Sequence, residues 1–277
     1  MITINTIYNM DAFELLKKLP NDYAQLILTD PPYGISYQNG YTYTPHLPIR
    51  GDTGIDYPAF ARECFRVLRG NSHAYFFTRF DQYPYHYNCL TEAGFSVKNC
   101  LVIEKGHIGG IGDLYGSYAN NCEWIIFCHK GRRMFNKTKL IKNVYPIGKY
   151  GGVPRMEYKT RFNCCWFGNE YPKSNYNSAW RIKHGFRHPT MKNAECLEWL
   201  IQISSNPGDI VFDPYMGSGS TAIAAINTGR FFIGSEIEAS HCQLAQSRIS
   251  GAGGEIREST CRIVGGDTIG ARVSKTR

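Results

Sequence analysis

The stretch DIVFDPYMGSGSTAIAA, residues 209–225, constrains the fold of this chain more than any other. A short apolar run ends at Asp213, a turn containing Gly217 and Gly219 follows, and a run of small residues then has the spacing of a helix. Glycines in such a turn let a ligand approach the backbone closely, and the free N–H groups at the start of the helix attract an anionic group. The stretch therefore predicts a strand, a ligand-binding turn and a helix of an α/β domain.

An acidic residue lies at the distance that this kind of turn requires. The next apolar run, RFFIGSEI, places Glu236 at its end, 19 residues after Gly217. In nucleotide-binding turns an acid about 20 residues after the glycines binds the hydroxyl groups of a ribose. The turn lacks the third glycine of the dinucleotide fingerprint, and the chain has no P-loop motif for phosphate. S-adenosylmethionine carries a ribose and no pyrophosphate, so it suits these residues as a cofactor. A purely structural glycine turn is the alternative.

A second motif, LILTDPPYGISY at residues 26–37, also ends an apolar run on an acid. Asp30 is followed at once by Pro31, Pro32 and Tyr33. If both apolar runs are parallel strands of one sheet, both loops lie at its carboxyl edge, where open α/β sheets bind their ligands. The prolines have a locked φ angle and no N–H group, so they hold the carbonyl of Pro31 in place.

This combination matches the needs of methyl transfer to an aryl amine. The lone pair of such an amine is delocalised into its ring, which makes the nitrogen a poor nucleophile. Two hydrogen-bond acceptors, the Asp30 carboxylate and the Pro31 carbonyl, would localise the lone pair, and Asp30 would stabilise the positive charge that develops. Tyr33 offers a ring for stacking on a base. Alone, the motif is also typical of a rigid turn with a capping acid, and the glycine turn with Glu236 favours the chemical interpretation.

Alternating apolar patterns predict the rest of the domain. Helices are predicted over residues 11–19, 57–69, 85–95, 193–205, 221–229 and 240–249. Strands are predicted over residues 24–30, 72–79, 96–106, 122–131, 210–214 and 230–237. This alternation predicts an α/β fold with a Rossmann-like, doubly wound, mostly parallel sheet.

The positive charge of the chain is concentrated in one segment. The formal net charge is +8, but residues 132–187 contain 13 Lys or Arg and two acids, so this segment carries +11 and the rest of the chain −3. The segment also holds eleven aromatic residues and has no clear periodicity. Such a composition predicts contact with nucleic acid, and a solvated basic face is the alternative. The candidate DNA-contacting residues are Arg132, Arg133, Lys137, Lys139, Lys142, Arg155, Lys159 and Arg161.

The remaining composition bounds the class of protein. The ten cysteines form no C-x-x-C pair and no zinc-finger spacing, so they are predicted to be reduced, mostly buried thiols, with no metal site. No apolar stretch is long enough to span a bilayer, and the first residues lack the pattern of a signal peptide. A cytosolic location is therefore expected.

The motifs and their order resemble the DNA amino-methyltransferases, which methylate adenine at N6 or cytosine at N4. The DPPY motif at Asp30 precedes the FDPYMGSGS loop, whose Asp213 lies 183 residues later, with the basic segment between them. This is similar to the permuted order of the beta group of that family, and the likeness covers about residues 7–249. It includes HPTMKN at 188–193, similar to the family's His-Pro-Thr-x-Lys-Pro element, and NMDAFELLKKLP at 9–20.

The resemblance implies the permuted S-adenosylmethionine-dependent methyltransferase fold and a set of site residues. The catalytic residues it implies are Asp30, Pro31, Pro32 and Tyr33. The cofactor-binding residues it implies are Asp11, His188, Thr190, Lys192, Asp213, Pro214, Tyr215, Gly217, Gly219, Ser220, Thr221 and Glu236. Three positions depart mildly from the family pattern: Asn193 replaces a proline, Tyr215 a Phe and Ser220 a Thr.

The resemblance also implies an arrangement of domains and a reaction. Residues 1–131 would form the catalytic half, 132–187 a target-recognition insertion, 188–250 the cofactor-binding half and 251–277 a tail. The predicted activity is methylation of the N6 amine of adenine in double-stranded DNA, with the base flipped out of the helix. Cytosine-N4 methylation is the nearest alternative, although Ser more often precedes Pro-Pro there. Asn there would suggest a protein-glutamine methyltransferase. RNA as substrate, and a DNA-binding protein with a decayed active site, are further alternatives. A homodimer and a restriction enzyme of the same system are left open as partners.

Overall fold

A computed structural model of the protein describes residues 2–33, 54–104, 116, 122–136, 164–166, 192 and 194–251. These residues form an eight-stranded sheet covered by helices. The strands are β1 (Thr6–Tyr8), β2 (Ala24–Thr29), β3 (Leu68–Thr78), β4 (Ser96–Glu104), β5 (Cys122–Lys130), β6 (Cys164–Trp166), β7 (Ile210–Asp213) and β8 (Phe231–Ser235). The helices are α1 (Ala12–Lys18), α2 (Tyr57–Val67), α3 (Tyr83–Glu92), α4 (Ala194–Ser204), α5 (Ser220–Asn227) and α6 (Ala239–Gly251).

The strand order in the sheet is β1-β8-β7-β2-β3-β5-β4-β6. Neighbouring strands are parallel except where β5 pairs with β3 and with β4. The predicted fold, a doubly wound and mostly parallel sheet, is confirmed. Because β5 runs in the opposite direction, its first residues lie at the carboxyl edge of the other strands, and its last residues lie at the opposite edge.

The two faces of the sheet are both buried, which explains the continuous apolar runs of its strands. Leu26 and Leu28 face a core that includes residues of α4, α5 and α6, whereas Ile27 faces a second core with residues of α1, α2 and α3. All three side chains have no exposed surface. Successive residues of a strand point to opposite faces, so a strand covered on both sides needs apolar residues throughout.

The chain order of the strands is permuted relative to their position in the sheet. The strands β7 and β8, from the last third of the chain, lie between β1 and β2. A backbone hydrogen bond joins the N-terminal part of the chain to the region after β8: the N–H of Glu236 donates to the carbonyl of Tyr8 at 3.0 Å. As a result, the ends of β2, β7 and β8 lie side by side at one edge of the sheet.

Parts of the segment 132–187 belong to this domain, so the predicted insertion is not wholly separate from the sheet. Strand β6 extends the sheet by pairing with β4, with Cys164 opposite Val102. At the start of the segment, the N–H of Asn136 donates to the carbonyl of Ile203 at the end of α4, at 2.8 Å. The other residues of the segment, 137–163 and 167–187, lie outside the described residues.

Two further expectations concern cysteines and membranes. Seven of the ten cysteines have described side chains, and these seven are free thiols and mostly buried, in agreement with the prediction: Cys64, Cys89, Cys128, Cys196 and Cys242 are buried, and Cys100 and Cys122 are partly exposed. Within the part of the chain that the structure describes, no helix has the length and apolar character needed to cross a membrane.

Candidate active site

The two motifs that the sequence analysis identified meet at the carboxyl edge of the sheet. Strands β2 and β7 are parallel neighbours, with Leu26 opposite Val211. Asp30 follows the last residue of β2 directly, and Asp213 is the last residue of β7. Strand β8 lies beside β7, and Glu236 follows its last residue. The acids of three adjacent strand ends therefore line one edge, as the sequence predicted.

The glycine turn has two positions, 217 and 219, whose backbone conformation favours glycine. Gly217 has φ +53° and Gly219 has φ +81°, in the left-handed region that side chains rarely adopt. A Cβ atom on Gly219 would also lie 2.8 Å from the Cβ of Ala245 in α6. The turn thus brings the start of α5, at Ser220, close to α6.

Glu236 is connected directly to the glycine turn. Its Oε2 accepts the backbone N–H of Gly217 at 2.9 Å, and its Oε1 accepts that of Glu238 at 2.8 Å. The imidazole of His241 lies 3.8 Å from Oε1, and its hydrogen bond with Glu236 raises the pKa of His241. Gly217, Glu238 and His241 occupy three of the four lone pairs of the carboxylate, so Oε2 can still accept one hydroxyl group. The spacing of Gly217 and Glu236 predicts an acid that binds ribose hydroxyl groups, and the structure places that acid beside the glycine turn.

Asp213 stabilises the turn from within the protein core. Its side chain is buried, and burial raises the pKa of Asp213 to about 6, against the hydrogen bond from Thr221, which lowers it. The N–H of Tyr215 donates to its carboxylate at 3.1 Å. The carbonyl of Pro214 accepts the hydroxyl of Ser235 at 2.8 Å. Asp213 and Pro214 therefore hold the loop in shape through contacts with the protein itself.

The structure also places four further residues that the resemblance assigned to the cofactor. The ring of Tyr215 packs on Phe60, with the centroids 5.4 Å apart. Asp11 caps helix α1, because its carboxylate accepts the N–H of Phe13 at 2.8 Å. Ser220 and Thr221 are buried at the start of α5. The predicted residues His188 and Thr190 lie outside the described part of the chain.

Arg248 of α6 braces the same turn and was missed by the sequence reasoning. Its guanidinium donates to the carbonyl of Ser218 and to the Ser218 hydroxyl at 2.8 Å, and it lies 3.4 Å from the hydroxyl of Ser220. Burial lowers the pKa of Arg248 to about 10. No local motif marks this residue, because its partners lie about 30 residues earlier in the chain.

Asp30 lies in a charged cluster of four residues, Asp30, Tyr33, Glu123 and Lys192, which we call the Asp30 cluster. The Tyr33 hydroxyl donates to Oδ1 of Asp30. The Lys192 ammonium lies 2.8 Å from Oδ2 of Asp30 and 3.3 Å from Oε1 of Glu123. Lys192 therefore contacts the predicted catalytic acid, although the resemblance assigned it to the cofactor, and Glu123 is a site residue that the sequence reasoning missed.

Aromatic rings form one side of the Asp30 cluster. Burial and the charge of Asp30 raise the pKa of Tyr33 well above its usual range, so its hydroxyl stays protonated. The ring of Tyr33 lies 6.3 Å from His86, which stacks on Tyr57 with the centroids 3.8 Å apart. The hydroxyl of Thr78 bonds with Nδ1 of His86 at 2.8 Å. Burial lowers the pKa of His86 to about 4, so this wall is uncharged at neutral pH.

Two of the candidate DNA-contacting residues lie far from this site. Arg132 and Arg133 follow the end of β5, at the edge of the sheet opposite to Asp30. The nine-residue length of β5 separates the two edges by roughly 25–30 Å. The other candidates, Lys137, Lys139, Lys142, Arg155, Lys159 and Arg161, lie outside the described residues.

Comparisons with known proteins support one family. Residues 24–247 match the N6/N4 methyltransferase family model, described as DNA methylase. The chain is 27% identical to Type II methyltransferase M1.MboII of Moraxella bovis, covering 88% of this chain and 96% of that protein. It is also 27% identical to DNA adenine methyltransferase YhdJ of Escherichia coli (strain K12), covering 93% and 87%. The crystal structure of the M1.HpyAVI-SAM complex matches with a TM-score of 0.57 and 25% identity, covering 88% of this chain and 98% of that one.

Proposed function

Because the chain belongs to the N6/N4 DNA methylase family, whose members are S-adenosylmethionine-dependent DNA methyltransferases, we propose that it methylates the exocyclic N6 amine of adenine in double-stranded DNA. The observation that carries this proposal is the position of Asp30. A carboxylate lies at the carboxyl edge of the sheet, on the strand next to the one that leads into the glycine turn. An acceptor of amine N–H groups thus stands beside a site for a methyl donor.

The residues around the glycine turn fit the cofactor. The Glu236 carboxylate keeps a lone pair on Oε2 for a ribose hydroxyl group, and the Gly217 N–H holds it in place. The close approach of the turn to α6 leaves no room for a Cβ atom on Gly219, and the start of α5 offers peptide N–H groups, which suit the carboxylate of a methionine moiety. S-adenosylmethionine supplies an electrophilic methyl group on its sulfonium.

The Asp30 cluster provides what a weakly nucleophilic amine needs. Both oxygens of the Asp30 carboxylate have partners, Tyr33 at Oδ1 and Lys192 at Oδ2. In our proposal, the N–H of the target amine replaces the Tyr33 hydroxyl at Oδ1, and the Pro31 carbonyl accepts the second N–H. These two bonds draw the lone pair out of conjugation with the ring, and the charge of Asp30 stabilises the cation that forms during the transfer. The amine nitrogen would bond to the methyl carbon as the methyl–sulfur bond breaks, S-adenosylhomocysteine would leave, and the methylated amine would release its extra proton to water. Tyr33, released from Asp30, then stacks on the base.

The preference for adenine rests on the acid at position 30. The resemblance associates Ser before Pro-Pro with cytosine-N4 enzymes, and this chain has Asp30. The name of the Escherichia coli relative, a DNA adenine methyltransferase, agrees with that preference. The amine of a paired adenine is unreachable inside a duplex, so the base must leave the helix to reach Asp30.

Asp30→Ala tests the chemistry. The variant should lose methyl transfer while its affinity for S-adenosylmethionine, measured by calorimetry, stays near that of the wild type. Asp22→Ala is a matched control, because Asp22 also pairs with a lysine, Lys130 at 2.9 Å, but at the opposite edge of the sheet. Near-normal turnover by Asp30→Ala would contradict the assignment.

Analysis of the nucleosides tests the base. DNA methylated by the wild-type protein and digested to nucleosides should contain N6-methyladenine. Finding only N4-methylcytosine would show that the acid at position 30 does not determine the base. Failure of the wild type to methylate any double-stranded DNA, with S-adenosylmethionine bound, would favour a decayed DNA-binding protein.

We also propose that the basic segment 132–187 recognises the DNA. Binding should then weaken steeply with salt, with a slope of about −0.9 per phosphate contacted. Neutralising Lys137 and Lys139 together should flatten this slope and leave affinity for S-adenosylmethionine unchanged. Neutralising Lys17 and Lys18, which are exposed in the last turn of α1 and lie outside the segment, removes the same charge, so it is the control and should change the slope less. Equal effects of the two pairs would mean that charge alone, and not its position, determines binding.

A further inference from the structure

Lys192 lies beside the predicted catalytic acid, although the resemblance implies that it contacts the cofactor. Its ammonium lies between two carboxylates, 2.8 Å from Asp30 and 3.3 Å from Glu123, and 4.5 Å above the centroid of the Phe77 ring. The side chains of Lys192 and Glu123 are each 15% exposed, and that of Asp30 is 26% exposed. Three charges from distant parts of the chain are thus held together with little water around them.

The topology explains how Glu123 reaches Asp30. Because β5 is antiparallel to its neighbours, its second residue lies at the carboxyl edge, where Trp124 pairs with Thr78 at the end of β3. Glu123 and Asp30 both contact one ammonium, so their oxygens are separated by no more than the two contact distances together, about 6 Å. Two carboxylates this close repel each other unless a cation lies between them.

The two oxygens of the Asp30 carboxylate have different partners and therefore different roles. Lys192 contacts Oδ2 and so fixes the plane of the carboxylate, which leaves Oδ1, the atom that Tyr33 now contacts, as the acceptor for the incoming amine. A lysine paired with Asp30 alone would neutralise it. Since Glu123 shares the lysine, the three side chains together carry a net charge of −1, and Asp30 keeps the negative potential that a developing cation requires.

We propose that Lys192 and Glu123 are positioning residues for Asp30: Lys192 orients the carboxylate and offsets its repulsion from Glu123, and Glu123 limits how far Lys192 neutralises it. This inference rests on the proposed amine methylation, and it assigns Lys192 to the acceptor of the base and not to the binding of the cofactor. Neither residue needs to touch the base or the methyl donor to perform this role.

The test uses single-turnover methylation of double-stranded DNA across a range of pH, at sites first mapped with the wild-type protein. Lys192→Met should slow methyl transfer on the order of 100-fold, the usual effect of misplacing a catalytic group by about 1 Å. The acidic limb of its pH profile should move upward by about one to three pH units, because Asp30 and Glu123 then compete for ionisation. Its affinity for S-adenosylmethionine, measured by calorimetry without DNA, should stay within about twofold of the wild-type value.

Two further variants separate the electrostatic role from a structural one. In the double variant Lys192→Met with Glu123→Gln, the repulsion is gone, so the acidic limb should return toward its wild-type position while the rate stays low. Lys192→Arg keeps the cation and should keep the wild-type limb. A loss of packing alone would not move the acidic limb upward in Lys192→Met and return it in the double variant.

Lys130→Met is the matched control. Lys130 also contacts an acid, Asp22 at 2.9 Å, and also lies over a ring, Phe65 at 4.8 Å, but at the opposite edge of the sheet. It should leave the pH profile unchanged at temperatures where the protein is folded.

The outcomes are distinguishable. If the wild type methylates DNA and Lys192→Met retains its rate and pH profile, the positioning role is wrong and the proposed function stands. If Lys192→Met loses affinity for S-adenosylmethionine as much as it loses rate, Lys192 is a cofactor ligand. If the wild type transfers no methyl group to DNA, the proposed function itself fails.

Discussion

Glu236→Ala should affect both the cofactor and the free protein, because the structure gives this carboxylate two separate tasks. The carboxylate accepts two backbone N–H groups, from Gly217 at 2.9 Å and from Glu238 at 2.8 Å, and its side chain is only 12% exposed. Leaving two partly buried amides without an acceptor should lower the free energy of unfolding by about 2–4 kcal/mol. Leaving a ribose hydroxyl without its acceptor should weaken S-adenosylmethionine binding by about 1–3 kcal/mol, roughly 5- to 150-fold in Kd.

Calorimetric titration and urea denaturation of the same samples measure the two effects. Glu236→Gln keeps one acceptor oxygen, so it should recover part of the stability and less of the affinity. Glu238→Ala is the control, since it removes an acid two residues away whose carboxylate accepts the hydroxyl of Ser240. Affinity for S-adenosylmethionine that is unchanged in Glu236→Ala, in a protein that folds, would show that the ribose is held elsewhere.

Three further predictions concern the fold around the site. Burial raises the pKa of Asp213 to about 6. Between about pH 4 and pH 6 the folded state therefore keeps a proton that the unfolded state has lost. The free energy of unfolding should fall by about 3 kcal/mol as pH rises through that window. Asp213→Asn should not show this fall in urea denaturation, and an identical pH dependence would contradict the burial argument. His86 has its pKa lowered to about 4, so the wild type should lose about 2 kcal/mol of stability through this residue as pH falls from 6.5 to 5, and His86→Phe should lose correspondingly less. Gly219→Ala should lower the free energy of unfolding by about 2–3 kcal/mol, from its positive φ and the contact with Ala245. Gly208 has φ +84° and no neighbour within 4 Å of a Cβ atom, so Gly208→Ala should lower the free energy of unfolding by about 1 kcal/mol only. Equal losses in the two variants would mean that the contact with Ala245 contributes nothing.

The elements that the sequence predicted are those encoded by neighbouring residues. The turn at Gly217 and the acid at Glu236 belong to one strand–turn–helix–strand unit, so their spacing alone predicts that they lie close together, and the structure adds the hydrogen bond that joins them. The continuous apolar run of β2 predicts a strand covered on both faces, and Asp30 at its end predicts a position at the carboxyl edge. Helix α1 likewise begins where its capping acid, Asp11, predicts.

What the tertiary structure decided depends on strand direction and on pairs of residues far apart in the chain. An apolar run predicts a strand but not which way it runs, and the antiparallel direction of β5 is what places Glu123 beside Asp30 and Arg132 at the opposite edge. Lys192 meets Asp30 across 162 residues of chain, and Arg248 meets the glycine turn from another helix. Local periodicity records only whether a side chain is buried, because the free energy of burial is nearly independent of the partner that covers it. The pairing of charges is settled only when distant strands dock, and it is this pairing that surrounds Asp30 with the charges proposed to control it.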